Sequence, residues 1–451
     1  MFKMLIVEEK DPIIKVIKDA LQNEFSPDIK IATSGLDAEA SIKENEFSLV
    51  IVRNILSEGE DDAAKKILNS LYDKSEKCVV IVLGKVDIGG FEYQSLPERF
   101  LISDLILKIK KSLDFSKEDL TQIRLPDYYP IPIKNFYLMN SVLCDIFIRI
   151  IRKESDDQYV LRIKDGDEFE KDAIRKYEKK GVKEFFIKKE LRHLFLDDLY
   201  GQTVAKLNAK ETSMENLVET TGDCFEVTQD LLVKMGVNEY SYKLGEATIE
   251  SMMGTITIYD DKLGSLVKGI LDNKGSYSYR HSYLISVFAS GIVPKLDLGD
   301  DQLLLNLEKM TFVAFYHDIL LPNDKLVSIN SKNKLYNSKL TDEEKELVLN
   351  HANQISTLVQ ELPKAPPDVD VIIRQHHGMP NGHGFSERPK ASLSPLAMVF
   401  IVVERFVDGF LHFKEGDSLK ALLDEIESEF NIPSYRKIVD ALKSSIIANF
   451  K

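Results

Sequence analysis

Short β-branched apolar runs alternate with amphipathic stretches along the first 113 residues. The runs fall at 3–7, 29–32, 48–52 and 78–83, and the stretches at 11–24, 36–45, 60–73 and 101–113 repeat their apolar positions at helical spacing. Continuous apolar strands separated by amphipathic helices predict a parallel sheet covered on both faces, an α/β doubly wound domain over residues 1–114. Ligands of such a sheet meet the carboxyl ends of its strands, where this chain carries Glu8, Glu9 and Arg53.

The pattern changes after residue 114. A linker at 116–129 runs into Leu125-Pro126-Asp127-Tyr128-Tyr129-Pro130-Ile131-Pro132. Closely spaced prolines keep the backbone extended and open a new domain. Strands are expected at 143–151, 158–163 and 184–187, with a helix at 169–180 stopped by Lys180-Gly181, so residues 125–200 form a small α+β module. From 201 onward every stretch has helical period: 202–220, 223–236, 241–273, 278–293, 301–316, 341–361, 367–377, 392–412, 417–429 and 433–448. Residues 201–275, with few breakers, form a helical connector long enough to offer a homodimer surface. Residues 276–451 form the last, all-α domain. Within it Thr341-Asp342-Glu343-Glu344 is a capping box, Thr341 accepting from the first turn and Glu344 reaching back.

Length and charge narrow the function. A chain of 451 residues exceeds what one core supports, and 44% apolar with 29% charged residues describes a globular protein. The net charge of −14 argues against a nucleic-acid polymer or a membrane as partner, though it permits a small phosphate ligand held by metal. The longest apolar run, Leu396 to Val403, is far too short to span a bilayer, and a cytoplasmic location is expected. Cys78, Cys144 and Cys224 are odd in number and widely spaced, which suits reduced structural thiols.

Candidate chemistry concentrates late in the chain. Of eight histidines, His281, His317, His351, His376, His377, His383 and His412 follow residue 280 and only His193 precedes it. A single histidine at the end of an apolar helix is usually a satisfied core residue; the set, with Asp318 beside His317, is more than one metal needs. Glu404 sits in Leu396-Ala397-Met398-Val399-Phe400-Ile401-Val402-Val403-Glu404-Arg405-Phe406-Val407, apolar on every face and therefore interior. A carboxylate there needs a compensating cation, and Arg405, about a hundred degrees away around the helix, fits that role less well than a metal.

Leu5-Ile6-Val7-Glu8-Glu9-Lys10-Asp11-Pro12 resembles the opening of response-regulator receiver domains, whose acidic pair holds magnesium. In that resemblance Arg53 stands where the phosphoaccepting aspartate belongs, and the family's lysine-proline appears as Leu96-Pro97. A pseudo-receiver is implied, docking a signalling protein, with Arg53 as a fixed cation against Glu8 and Glu9.

His281-Ser282, His317-Asp318, His351 behind the capping box, and His376-His377 before a glycine-rich loop resemble the HD-GYP family of the HD phosphohydrolase superfamily over roughly 276–412. The fold class implied is multidomain: an α/β doubly wound receiver-like domain, a small α+β domain and an all-α HD-type helical domain. The resemblance makes His281, His317, Asp318, His351, His376, His377 and Glu404 ligands of two divalent metal ions, iron or manganese, with Asp318 as the bridge and His317 and Asp318 central to catalysis. It implies hydrolysis of a cyclic dinucleotide, cyclic di-GMP or a mixed one.

This chain departs from the family at several positions. His317-Asp318-Ile319-Leu320-Leu321 lacks the family's lysine, and His376-His377-Gly378-Met379-Pro380-Asn381-Gly382-His383-Gly384-Phe385-Ser386 lacks its glutamate, its aspartate and its tyrosine-proline. Tyr277 replaces the glutamate of trinuclear members, which favours two metals. Lys325, Arg374, Arg388 or Lys390 is left to supply the phosphate cation. His383 and Phe385 are placed to stack on a guanine base, with Phe385 as loop anchor an equal alternative. The competing function is a cyclic-dinucleotide sensor that keeps the metal site without turnover; hydrolysis of another nucleotide fits the paired His376-His377 less well.

Overall fold

In a computed structural model the chain is described over residues 3–25, 27–56, 63–73, 78–84, 93–97, 100, 102–113, 127–150, 158–209, 213–235, 239–414 and 416–449. The expected linker up to residue 126, the start of the 60–73 helix, and the last residues of the 143–151 strand and the 223–236 helix lie outside these. The chain divides into two compact units. One comprises Met1–Pro126, Lys234–Glu239 and Thr357–Ala365; the other comprises Asp127–Val233, Tyr240–Ser356 and Pro366–Lys451.

The first unit is built on strands β1 (Lys3–Val7), β2 (Asp28–Ala32), β3 (Leu49–Arg53), β4 (Val79–Leu83) and β5 (Gln94–Leu96), all parallel, in the order β2-β1-β3-β4-β5. That is one of the two common doubly wound orders. Helices α1 (Asp11–Phe25) and α4 (Ile102–Ser112) cover one face; α2 (Gly35–Glu44) and α3 (Ala63–Asp73) cover the other. Met4 and Ile6 point to the first face and Leu5 and Val7 to the second. Successive strand residues face opposite ways, so a strand buried on both sides must be apolar throughout. The β5 strand was not expected: its Gln94-Ser95-Leu96 carries one buried apolar residue and joins the sheet at its edge.

At the carboxyl ends of β1 and β3, Arg53 Nε donates to Glu8 Oε2, with both side chains buried. The other Glu8 oxygen accepts from the amides of Glu9 and Lys10 at 3.1 and 3.2 Å.

The second unit opens with an antiparallel sheet, β6 (Tyr128–Pro132), β7 (Ile146–Ile150), β8 (Gln158–Ile163) and β9 (Glu184–Lys188), ordered β6-β9-β7-β8. The proline stretch is itself β6, at the sheet edge, where a proline without an N–H leaves no ladder bond unmade. A 3-10 turn (Ile133–Leu138) and helix α5 (Lys171–Lys179) complete this module. Gly181, at φ +85°, ends α5.

The helices that follow are α6 (Arg192–Leu207), α7 (Met214–Met235), α8 (Glu239–Ile258), α9 (Leu263–Asp272), α10 (Tyr277–Ile292), α11 (Leu303–Tyr316), α12 (Asp324–Val327), α13 (Lys332–Tyr336), α14 (Asp342–Gln360), α15 (Val369–Gln375), α16 (Pro395–Leu411), α17 (Leu419–Glu429) and α18 (Pro433–Asn449). Two expectations are corrected. The stretch 202–220 is not one helix, because Asn208 ends α6 and the Ser213 hydroxyl accepts from Asn216 N at 3.2 Å to start α7. The stretch 241–273 breaks at Asp260–Lys262, a polar 3-10 turn with no buried residue. The capping box forms as read: Thr341 N donates to Glu344 Oε2 at 2.9 Å and Glu344 N to Thr341 Oγ1 at 3.2 Å.

Helix α10 packs against α9, α11, α16 and α18, and it and α16 are buried on most faces. Cys144 and Cys224 are buried thiols, and burial pushes Cys224 up to about 12, as expected of structural cysteines. Among the described residues no helix is long and apolar enough to cross a membrane.

Candidate metal centre

Four helices bring the late histidines together. His281 lies in α10, one turn from its start; His351 lies in α14. His317 and His376 are the residues that close α11 and α15. A helix C-terminus carries partial negative charge, so two such ends at one point favour a cation. The apolar run from Met310 to Tyr316 carries α11 through the core and delivers the His317-Asp318 pair at its exit.

Two groups of donor atoms form there, each with its atoms within 4.8 Å of one another: Asp318, His351, His376 and His377; and His281, His317 and Asp318. Asp318 belongs to both. Its Oδ1 lies 3.1 Å from His351 Nε2, and its Oδ2 lies 3.3 Å from His317 Nε2. Each oxygen thus faces a different group.

The histidines present lone pairs to this point. His317, His351 and His376 each direct Nδ1 at the carbonyl three residues back, Ala314, Val348 and Ile373, at 2.9, 2.7 and 2.5 Å. With Nδ1–H donated there, the remaining Nε2 is an acceptor, the tautomer that metal-binding histidines adopt. Yet His351 Nε2 lies 3.2 Å from both His376 Nε2 and His377 Nε2. Acceptors facing one another in a buried site repel unless a cation lies among them. His317 Nε2 and His281 Nδ1 are buried without a hydrogen-bond partner. This donor set fits one or more divalent ions.

The protonation states agree. Burial, and then the neighbouring rings, hold His376 and His377 well below the usual imidazole range. Burial and His317 bring His281 down to about 4. Burial works against an ionised Asp318, but a proton on the facing Nε2 of His317 or His351 would outweigh burial and hold its carboxyl well below the ordinary value, the part a cation takes when these Nε2 atoms carry lone pairs. Neutral imidazole and ionised carboxylate are the metal-binding forms.

Glu404 is buried on α16 and lies outside both groups of mutually close donors. Burial, then the carboxylates of Asp318 and Asp408, push it well above the usual range. It lines a cleft of about 110 Å³ together with Asn330, His376, His377, Phe385 and Arg388.

The six residues expected to bind substrate scatter. Lys325 is exposed and pairs with Glu344 at 3.8 Å. Arg374 donates to Ser356 Oγ at 3.1 and 3.0 Å and clasps α15 to α14. His383 is exposed, its Nδ1 2.6 Å from Asn350 Oδ1, and Lys390 Nζ lies 3.6 Å from Met379 Sδ. Phe385, only 3% exposed, sits in an apolar cluster with Leu321, Leu326 and Val348, its ring edge-to-face with His377 at 4.5 Å between centroids. Buried in this way the ring packs as a loop anchor, and it also forms part of the cleft lining. Arg388 is exposed on the cleft.

Asp408 and Lys334 beside the centre were not picked out, and Tyr277 was read only as the replacement of a glutamate. Tyr277 stacks on the His281 ring at 5.5 Å and 13° and donates its hydroxyl to Asp408 Oδ1 at 2.9 Å. Asp408 also accepts from Lys334 Nζ at 3.3 Å, and Lys334, Asn330 and Tyr277 hold its carboxyl below the ordinary value against the effect of burial. Asp408 lies one turn after Glu404 on the same apolar helix, so the argument that marked Glu404 marks it too. Lys334, in a polar stretch, gave no signal.

No protein-family model matches the chain, and no curated protein matches it. Among solved structures, Bd1817, a HDG"Y"P protein from Bdellovibrio bacteriovorus, aligns over 71% of this chain and 100% of its own, with 14% identity and a TM-score of 0.46.

Proposed function

We propose that the chain is a metal-dependent phosphodiesterase acting on a cyclic dinucleotide, cyclic di-GMP or a mixed one. The observation that carries this reading is the division of Asp318 between two donor groups, the arrangement of a carboxylate bridging two cations. His351, His376 and His377 would hold one divalent ion, His281 and His317 the other, with iron or manganese suited to an imidazole and carboxylate set. When bound, two such ions supply charge neutralisation at phosphoryl oxygens and activation of a water at neutral pH.

The chain's own residues do the rest. Phe385 and the α11 exit keep bulk water from the buried rings, and Glu404 offers a carboxyl on the cleft wall whose pKa burial raises and which a cation there would lower. Arg388 is the one among Lys325, Arg374, Arg388 and Lys390 that lines the cleft, and its planar fork suits a phosphate. A cleft of about 110 Å³ is well below the 300–1,000 Å³ of sites that enclose organic ligands, so it takes in a phosphodiester while the bases stay outside.

Metal analysis of anaerobically purified protein, beside hydrolysis assays with manganese or ferrous iron and several cyclic dinucleotides, tests the reading. About two metals per chain and a linear or mononucleotide product are expected, with the product and about one metal lost in His317→Ala. A second reading, a cyclic-dinucleotide sensor that keeps its metals without turnover, draws on the engagement of Lys325 with Glu344. Metal retained with no product would select it.

The first unit is proposed as a pseudo-receiver docking a signalling protein. The Arg53–Glu8 pair at the strand ends supports this, since it fills the crevice with a cation that accepts no phosphoryl group. A stable phosphoryl adduct on this unit after incubation with a small phosphodonor, read by intact mass, would sink it.

A further inference from the structure

The four amides that open α10 have no intrahelical acceptor, as in any helix. Here side chains satisfy all four. Ser276 N donates to Glu226 Oε1 at 2.8 Å, Tyr277 N and Ser278 N to Asp324 Oδ2 and Oδ1 at 2.9 and 3.2 Å, and Tyr279 N to Ser276 Oγ at 3.2 Å. His281 stands one turn further on. Asp324 lies six residues after Asp318, so it ties the chain leaving the His317-Asp318 pair to the helix that carries His281. Glu226 comes from α7, and its other oxygen, Oε2, takes Lys134 Nζ at 2.7 Å. Lys134 belongs to the 3-10 turn of the small α+β module. Burial opposes its charge, but Glu226 outweighs burial and raises the ammonium pKa.

We propose that Lys134 and Glu226 are positioning residues through which the small α+β module sets the start of α10, and with it the metal affinity of the His281, His317 and Asp318 group. The module is thereby a control element for one of the two cation positions. The pair lines a cavity of about 1010 Å³ along with Lys171, Glu219, Asp223 and Asp324, so solvent and solutes reach it. Lys171 provides an internal control: it bonds Glu219 at 2.7 Å and also Asp223, joining the same module to the same α7 helix without touching α10. Because the proposal rests on the metal reading, its test includes a readout that needs no metal.

Full-length wild type, Lys134→Met, Lys134→Arg, Glu226→Gln and Lys171→Met are titrated with manganese, and amide exchange is followed at residues 276–281 in the metal-free proteins. Lys134→Met is expected to weaken one of two manganese sites about tenfold, the scale of lost outer-shell support, and to leave the other within about twofold. Exchange at 276–281 should rise several-fold, Lys134→Arg should restore both readouts, and Lys171→Met should change neither. Glu226→Gln keeps an acceptor for Ser276 N and should resemble Lys134→Met. Equal weakening in Lys171→Met and Lys134→Met, or unchanged affinity and exchange in Lys134→Met, overturns the coupling. A wild type that takes up no manganese overturns the metal reading itself, and exchange at 276–281 then shows separately whether the Lys134 tie to α10 exists.

Discussion

His351 and His376 meet through their Nε2 atoms at 3.2 Å while each holds its Nδ1 on a carbonyl of its own helix. Neither nitrogen at the contact has a proton to give, so the contact is favourable only around a cation. Removing metal should therefore lower stability. With free metal at a hundredfold its dissociation constant, chelation is expected to cost about 2.7 kcal/mol. Calorimetric scans with and without chelator measure this, and coincident melts would argue against a bound ion.

Asp318 should be the residue whose loss empties both positions. In Asp318→Ala metal content is expected to fall from about two per chain to near zero, whereas His281→Ala and His377→Ala each lose about one. Elemental analysis of the three variants separates a shared carboxylate from two independent sites. A single ion lost in Asp318→Ala would contradict the bridge.

Arg53 and Glu8 form a buried pair in the first unit. Arg53→Ala leaves a carboxylate buried without its cation, a change that costs about 3–5 kcal/mol. Urea unfolding followed by a probe in residues 1–113 should show the midpoint move by the corresponding amount, and Arg53→Met with Glu8→Leu should recover most of it.

Gly382 has φ +72°, and a Cβ there would meet Asn353 N at 3.0 Å and Arg374 Cγ at 2.9 Å. A side chain in that conformation costs roughly 1–2 kcal/mol before any clash. Gly382→Ala should lower Tm and, because the loop follows His377 directly, reduce metal content as well. Gly166, at φ +81° with open space around it, is the control: Gly166→Ala bears the backbone cost alone and should keep its metal.

Tyr277→Phe keeps the stack on His281 and gives up the hydroxyl bond to Asp408. A hydrogen bond to a charged group contributes about 1.5–3 kcal/mol, so a loss of that order is expected in thermal unfolding. Metal content should be unchanged, since the ring that orients His281 remains; Tyr277→Ala should reduce it.

Legibility followed burial. The strands β1, β3 and β4 announce themselves because both faces are covered and every residue must be apolar. The β5 and β6 strands stayed unread because Gln94-Ser95-Leu96 carries a single apolar residue and prolines interrupt Tyr128–Pro132, whereas the other edge strands, β2 and β8, have longer apolar runs. In β6, Pro130 and Pro132 spoke for extended backbone without saying what it paired with. At the site, the clustering of late histidines was legible in the sequence, and the set His281, His317, Asp318, His351, His376 and His377 was implied by the family resemblance. The roles of Asp408 and Lys334 were not, since one depends on the turn of α16 and the other on where a short polar helix comes to rest. Phe385 was ambiguous because an aromatic on a glycine loop serves equally as anchor or as platform, and only its burial distinguishes them.

The Nδ1 bonds to Ala314, Val348 and Ile373 each span three residues, whereas the rings they orient come from positions as far apart as 317 and 376. Aim is therefore encoded within single helical turns, and convergence is left to the packing of distant helices. Each turn sets the direction of its own imidazole, and only the assembled helices bring the rings to one point. A cation held by these rings would thus be captured late, once the helices have met.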